Sequence, residues 1–402
     1  MRIDHPNRLT PGLLTVLGFV AAASSLATDL YLPSLPSISN DLHAAPSLAQ
    51  VTLSVFFFGI GAGQLLLGAL SDSRGRRSVL LIALTVFALS GIAMSFSPGI
   101  EMLIALRLVQ GFAGAAGLVL SRAIVADLSE GETAVRALSL IVMVSGLGPL
   151  LAPAIGGLTQ EWWGWRGSLA ALGVIGAIML VLAWLVIPES LPPAQRTESG
   201  FRATFAPFGR LLRDGRFVAL AVAFGLGFGT IMAYISASPF VGQKILGMSP
   251  FVYALSFSAA ASAMLIANLV NARIAPRVGP RRMLTVSVVL LCAGSFSMLA
   301  LVTTGTLTIA GLIACAFAAS AGGGLMISNA SALALARADY ARGSGSALIG
   351  AIQFLFGGLV APLTGLWGEE TALPMAVMMA VGATLAALCA FLALRPEARD
   401  GA

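Results

Sequence analysis

Charge is scarce in this sequence: only 10% of its 402 residues are acidic or basic, while 58% are hydrophobic. A water-soluble domain carries about a quarter charged residues, so a soluble enzyme and a soluble nucleic-acid binder are both excluded by composition. Histidine is nearly missing, with His5 and His43 alone. The three cysteines, Cys292, Cys315 and Cys389, show neither CxxC nor metal-ligand spacing, which leaves no disulfide framework, redox pair or metal site to expect. No phosphate loop of the form G-x-x-x-x-G-K-S/T occurs, so neither ATP nor a bound cofactor is expected to power the protein.

What is present is a series of long apolar runs. Crossing about 30 Å of hydrocarbon takes roughly 20 helical residues, because lipid offers backbone polar groups no partner outside the helix. Charge-free runs of that size lie at about 9–28 (extended past Asp29 to Pro36), 42–71, 78–100, 102–121, 137–160, 167–188, 217–243, 245–272, 283–336, 343–368 and 371–394. The 283–336 run is long enough for two spans, with a turn at Thr303-Thr304-Gly305-Thr306, so the chain is predicted to cross the bilayer twelve times. The Ala/Ser-rich run at 21–27, preceded by Arg2 and Arg8, has the look of a signal-peptidase site. Cleavage there would leave eleven spans and break the charge alternation, so the first span is read as retained.

Basic residues concentrate in cytoplasmic loops. With a cytoplasmic N-terminus, 20 of the 23 fall inside, Arg166 and Lys244 fall outside, and Arg107 lies within span four. Both termini are therefore expected in the cytoplasm, with the protein in the cell inner (plasma) membrane. The polar segment 189–216 divides the chain into an N-terminal six-helix bundle, 1–188, and a C-terminal one, 217–402. Its basic stretch Phe201 to Leu212 is expected to lie on the inner membrane surface. The halves echo each other: Arg74-Gly75-Arg76-Arg77 matches Gly279-Pro280-Arg281-Arg282, and Ala152-Pro153-Ala154-Ile155-Gly156 matches Ala361-Pro362-Leu363-Thr364-Gly365. The predicted fold is thus all-α and integral to the membrane, with twelve transmembrane helices in two pseudo-symmetric bundles, an arrangement found in secondary transporters.

Of the 17 acidic residues, the span assignment leaves Asp29 alone inside the membrane, and Arg107 is the one cation there. A charge near mid-membrane costs at least about 2.5 kcal/mol on insertion scales, so it is expected to face a cavity or a partner. Both residues are expected some six or seven positions from the outer face, roughly 10 Å deep, where they could pair. Helical spacing puts Ser25, Thr28 and Asp29 on one stripe, and Arg107, Gln110, Gly111 and Gly114 on another. Asp29 is read as a proton carrier, with Arg107 as its partner or as a substrate clamp. Tyr31, Gln110, Tyr234 and Gln353 are candidates for substrate contact, and Gln64, Asn268 and Asn329 are further polar residues that equally suit helix-helix glue. Trp162, Trp163, Trp165 and Trp367 are expected at the outer interface.

Three strings add a resemblance. Gly68-Ala69-Leu70-Ser71-Asp72-Ser73-Arg74-Gly75-Arg76-Arg77 resembles the loop signature G-x-L-S-D-R-x-G-R-R of the major facilitator superfamily, with Ser73 where the family usually has a basic residue. Gly148-Pro149-Leu150-Leu151-Ala152-Pro153-Ala154-Ile155-Gly156-Gly157 resembles its antiporter motif G-x-x-x-G-P-x-x-G-G, matched at Gly148, Pro153, Gly156 and Gly157, with Ala152 replacing a glycine. Thr28-Asp29-Leu30-Tyr31-Leu32-Pro33 and Pro36 resemble the T-D-M-Y-L-P-x-x-P string of Bcr/CflA-type bicyclomycin and chloramphenicol exporters. The resemblance implies a major facilitator fold and proton-coupled, alternating-access export of lipophilic small molecules. It also implies conformational roles for Gly68, Asp72, Gly75, Arg76, Gly148, Pro153, Gly156 and Gly157, with protons, a small-molecule substrate and the lipid bilayer as the partners and a monomer as the working state. The alternatives are a metabolite exporter or proton symporter on the same fold and, from another class, a membrane-embedded enzyme or sensor.

Overall fold

A computed structural model describes residues 9–196, 207–365, 368 and 370–395. Among them the secondary structure is helical, without strands. This is the expected outcome for segments that are apolar on every face, since only a helix satisfies its backbone within lipid. The helices begin where the sequence supplies caps. Thr10 accepts from the Leu13 amide at 3.2 Å and Thr308 from the Gly311 amide at 3.1 Å, while Pro11, Pro46, Pro250 and Pro280 stand at first helical positions.

Ten helices are long and apolar enough to cross a membrane, and eleven if the bent pair Pro11–Ala21 and Ala23–Asp41 is one span. The run Gly131–Val186 is one of the ten, yet its 56 residues would make a rod about 80 Å long at ~1.5 Å per residue. It is not a rod. Gly164 has φ 67° and ψ −175°, and the hydroxyls of Thr159 and Ser168 lie 3.0 Å apart. Nine residues along a straight helix would separate them by about 13 Å. The chain therefore reverses at Gly164, and 131–163 and 165–186 are spans five and six. The remaining spans are Pro46–Arg74, Arg76–Ser95, Ile100–Leu128, Gly215–Phe240, Pro250–Val278, Pro280–Thr303, Ile309–Arg337, Arg342–Leu363 and Leu373–Leu394. With the bent first span, the expected twelve are recovered.

Several boundaries differ from the sequence reading. Span one reaches Asp41 rather than Pro36 and bends by 43° near Ala22. Ser25 Oγ donates to the Ala22 carbonyl and Thr28 Oγ1 to the Ser24 carbonyl, and such back-bonding loosens a helix. Asp72 is not in a loop: span two continues to Arg74, and the single residue Gly75 connects it to span three. Gly75 has φ 98° and ψ 147°, and Gly279, between spans eight and nine, repeats this with φ 87° and ψ 148°. The sequence echo is thus also a conformational one, at a left-handed backbone that favours glycine.

The chain divides into two compact units, Met1–Ala203 with Met248–Ser258, and Thr204–Gly247 with Ala259–Ala402. Trp162 and Trp163 are exposed, as an interfacial belt requires, whereas Trp165 is buried and donates to Asp41 at 2.8 Å. Trp367 and residues 201–206 of the basic stretch lie outside the described residues; Phe208–Leu211 is a short helix.

Candidate proton-coupling site

Among the described residues, Asp29 and Arg107 are the only charged side chains that are buried, at 5% and 0% exposure. They belong to the first unit. Asp29 ends the helical piece Ala23–Asp29, just before the path tightens at Leu32–Ser34. Arg107 lies two turns into span four.

The structure does not pair the two charges. No cation lies within 4.0 Å of the Asp29 carboxyl, and no hydrogen-bond donor reaches it, among the described residues. Arg107 is held by neutral groups instead. Its Nη1 donates to the Ala27 carbonyl at 3.0 Å and to Gln110 Oε1 at 2.9 Å. Its guanidinium carbon sits 4.1 Å from the Tyr31 ring centroid and 4.4 Å from that of Phe56. Two aromatic faces around a desolvated guanidinium contribute on the order of 2 kcal/mol each. Arg107 Nε and Nη2 and Gln110 Nε2 are left without partners. The expected ion pair fails because the arginine turns toward span two and the carbonyl that precedes Asp29 by two residues.

Tyr31 and Gln110, expected to meet substrate, are instead walls of this cage. Tyr31 is fully buried and its hydroxyl lies 2.9 Å from Thr52 Oγ1. Sequence reasoning missed Thr52 and Phe56. They stand at i and i+4 on span two, a helix too apolar all round to reveal which face turns inward.

Small residues make the cage possible. A Cβ on Gly111 would lie 2.1 Å from the Phe56 carbonyl oxygen, so spans two and four cross at backbone contact there. The antiporter-like string packs on the segment that carries Asp29. A Cβ on Gly156 would lie 2.1 Å from the Leu30 carbonyl oxygen, and one on Gly148 would lie 2.7 Å from Ser25 Oγ. Pro153 lies inside the same helix, and Gly157 faces Phe251 and Ala254 at the start of span eight, a stretch that belongs to the first unit.

At the far end of span two, Arg76 is a hub. It pairs with Asp72, reaches Asp127 at 3.1 Å and donates to Ser71 at 2.6 Å. Its backbone amide donates to Glu189 at 2.9 Å, and Ser190 donates to Asp127 at 2.7 Å. Gly75 is required here twice over, since a Cβ would also strike the Glu189 carboxylate at 2.4 Å. Gly68, by contrast, makes only an ordinary contact with Val119 at 3.5 Å. Asp127, Glu189 and Ser190 were not legible as partners, because charges at span edges look alike in sequence.

The second unit contains Tyr234, buried beside Ser238, and Gln353, half-buried on span eleven. Asn268 accepts from Ser328 at 2.6 Å and Asn271 from Asn329 at 3.0 Å, so these amides tie span eight to span ten. Among the described residues no three His, Cys, Asp or Glu side chains gather as a metal site.

The family profile described as Major Facilitator Superfamily matches residues 17–362. An uncharacterized MFS-type transporter, YdgK, from Bacillus subtilis is 35% identical, over 94% of each chain. A bicyclomycin resistance protein homolog from Haemophilus influenzae is 30% identical, over 91% of this chain and 92% of its own. The crystal structure of a D-xylose-proton symporter superposes with a TM-score of 0.74 at 18% identity, covering 93% of this chain and 95% of that one, which is a likeness of fold alone. On the family match and these full-length relatives, the chain is a multi-pass membrane transporter and belongs to the Major Facilitator Superfamily.

Proposed function

We propose that this protein exports lipophilic small molecules across the cell membrane in exchange for protons, with Asp29 as the exchangeable acid. One observation carries the reading: a lone buried carboxyl sits in a broken span, without a donor or cation to hold its charge. In such surroundings an ionised carboxylate is costly and a bound proton is its natural partner. The caged Arg107 supplies a fixed positive field two residues' length away, which favours release of that proton when the surroundings become wet. The glycines of span five lie on the backbone beside Asp29, so a movement of that span is transmitted to the carboxyl. Bicyclomycin-like drugs are the proposed substrate class, in keeping with the resistance protein among the relatives. Tyr234 and Gln353 are proposed substrate contacts. The protein works as a monomer without a cofactor, with both termini in the cytoplasm.

Proteoliposomes with an imposed pH gradient and a panel of radiolabelled antibiotics test this. Wild-type protein should accumulate a drug only with the gradient, and Asp29→Asn should lose the accumulation while keeping its helical spectrum. Gradient-driven uptake by Asp29→Asn equal to wild type would remove Asp29 from the mechanism, and movement of a sugar or amino acid but no drug would overturn the substrate class.

A further inference from the structure

On the membrane face of the first unit, spans two, three and four enclose a groove of about 170 Å³. Its walls are apolar: Leu70, Val79, Ile82, Val86 and Phe112 contribute most of them, and Ile82 is 66% exposed, so the groove opens outward to where lipid lies. A cavity of about 150 Å³ accepts a benzene-sized group, and this groove takes a comparable length of acyl chain. Only its end is polar, where Arg74 and Ser78 are both exposed.

Arg74 differs from its neighbours. Arg76 is committed to Asp72 and Asp127, and Arg77 donates to the Trp184 carbonyl at 2.7 Å. Arg74 has no carboxylate within 4.0 Å among the described residues. The sequence carries serine, Ser73, at the position where the loop signature usually has a base, and places the arginine one residue later. One residue is about 100° around a helix, and that rotation brings the guanidinium to the mouth of the groove. A forked cation above an apolar slot, at the membrane surface, complements a phosphate attached to a hydrocarbon tail.

We propose that this groove binds an acidic phospholipid, its acyl chain along spans two, three and four and its phosphate on Arg74, with the Ser78 hydroxyl as a second donor. The test uses the full chain reconstituted in phosphatidylcholine vesicles, with spin-labelled phosphatidylglycerol or spin-labelled phosphatidylcholine as the probe. Wild-type protein should immobilise the phosphatidylglycerol about fivefold more strongly than phosphatidylcholine, the factor given by ~1 kcal/mol per basic residue at a membrane surface. Arg74→Gln, at an exposed position that leaves the fold intact, should bring the ratio close to one. Val86→Trp, which fills the groove, should reduce immobilisation of both probes. Equal association of the two probes with wild-type protein, or an unchanged preference in Arg74→Gln, would overturn the proposal.

Discussion

The two halves of the molecule share a backbone plan and differ in where they keep charge. Gly75 and Gly279 adopt the same left-handed turn, and the arginines that follow make equivalent contacts. Arg77 donates to the Trp184 carbonyl near the end of span six, and Arg281 donates to the Leu394 carbonyl at the end of span twelve. Beyond that point the halves diverge. Arg76 corresponds to Pro280, so the hub with Asp72, Asp127 and Glu189 has no counterpart. Inside the spans the first unit buries Asp29 and Arg107, whereas the second buries amides and hydroxyls paired with one another, such as Asn271 with Asn329 and Ser236 with Thr364. Duplication supplied the frame, and proton chemistry was placed in one copy.

The largest effect that could break this comparison comes from the cage. Arg107→Met should keep the fold, because a buried cation replaced by an apolar chain of similar length is often neutral for stability. Export should fall at least about tenfold, equivalent to ~1.4 kcal/mol, as read by drug accumulation in vesicles. The double change Asn271→Val and Asn329→Val in the second unit should leave the pH dependence of export intact. If the second change alters that dependence and the first does not, the assignment of roles to the halves is wrong.

Next comes Gly156→Val, which forces side-chain atoms into the Leu30 carbonyl. Overpacking of this kind costs ~1–3 kcal/mol, seen as a lower melting temperature in detergent, and export should fall with it.

A smaller effect distinguishes the cytoplasmic ends. Asp214 caps span seven through the Arg216 and Phe217 amides at 3.0 and 3.2 Å and accepts from Arg337 at 2.7 Å. Partial burial pushes its carboxyl up, but the Arg337 hydrogen bond and charge and the two amides outweigh this and hold it below the ordinary value of 3.8. A depressed acid stabilises the fold above its unfolded value and loses that contribution as pH falls through its folded one. Asp214→Asn should therefore lower stability by ~1 kcal/mol at neutral pH, and the gap to wild type should close only below pH 3.8. The smallest effects test the symmetry itself. Arg77→Gln and Arg281→Gln should each cost ~0.3–1 kcal/mol, the value of a cation at a helix C-terminus, and unequal losses would show that the two turns are not equivalent.

Much of this was written in the sequence. The twelve spans follow from apolar length, and the solitary acid and base follow from counting charges against those spans. Their relation did not follow. Depth was judged by counting residues to the outer end of span one, but the path continues from Pro36 to Asp41 and bends at Ala22, which moves Asp29 relative to span four. Rotation about the helix axis decided the rest: Arg107 faces Phe56 and Tyr31, and a span that is apolar on every side carries no periodic signal of that choice. The echo around Gly75 and Gly279 was legible because a left-handed turn narrows the choice of residue, whereas Asp127 and Glu189 were hidden among charges that any cytoplasmic loop could carry.

The most direct test of the central claim is proton release on drug binding, recorded with a pH indicator in weakly buffered solutions of the purified protein. Wild-type protein should release protons when a bound drug is added, and Asp29→Asn should bind the same drug with no release. Equal release from the two proteins would contradict the account.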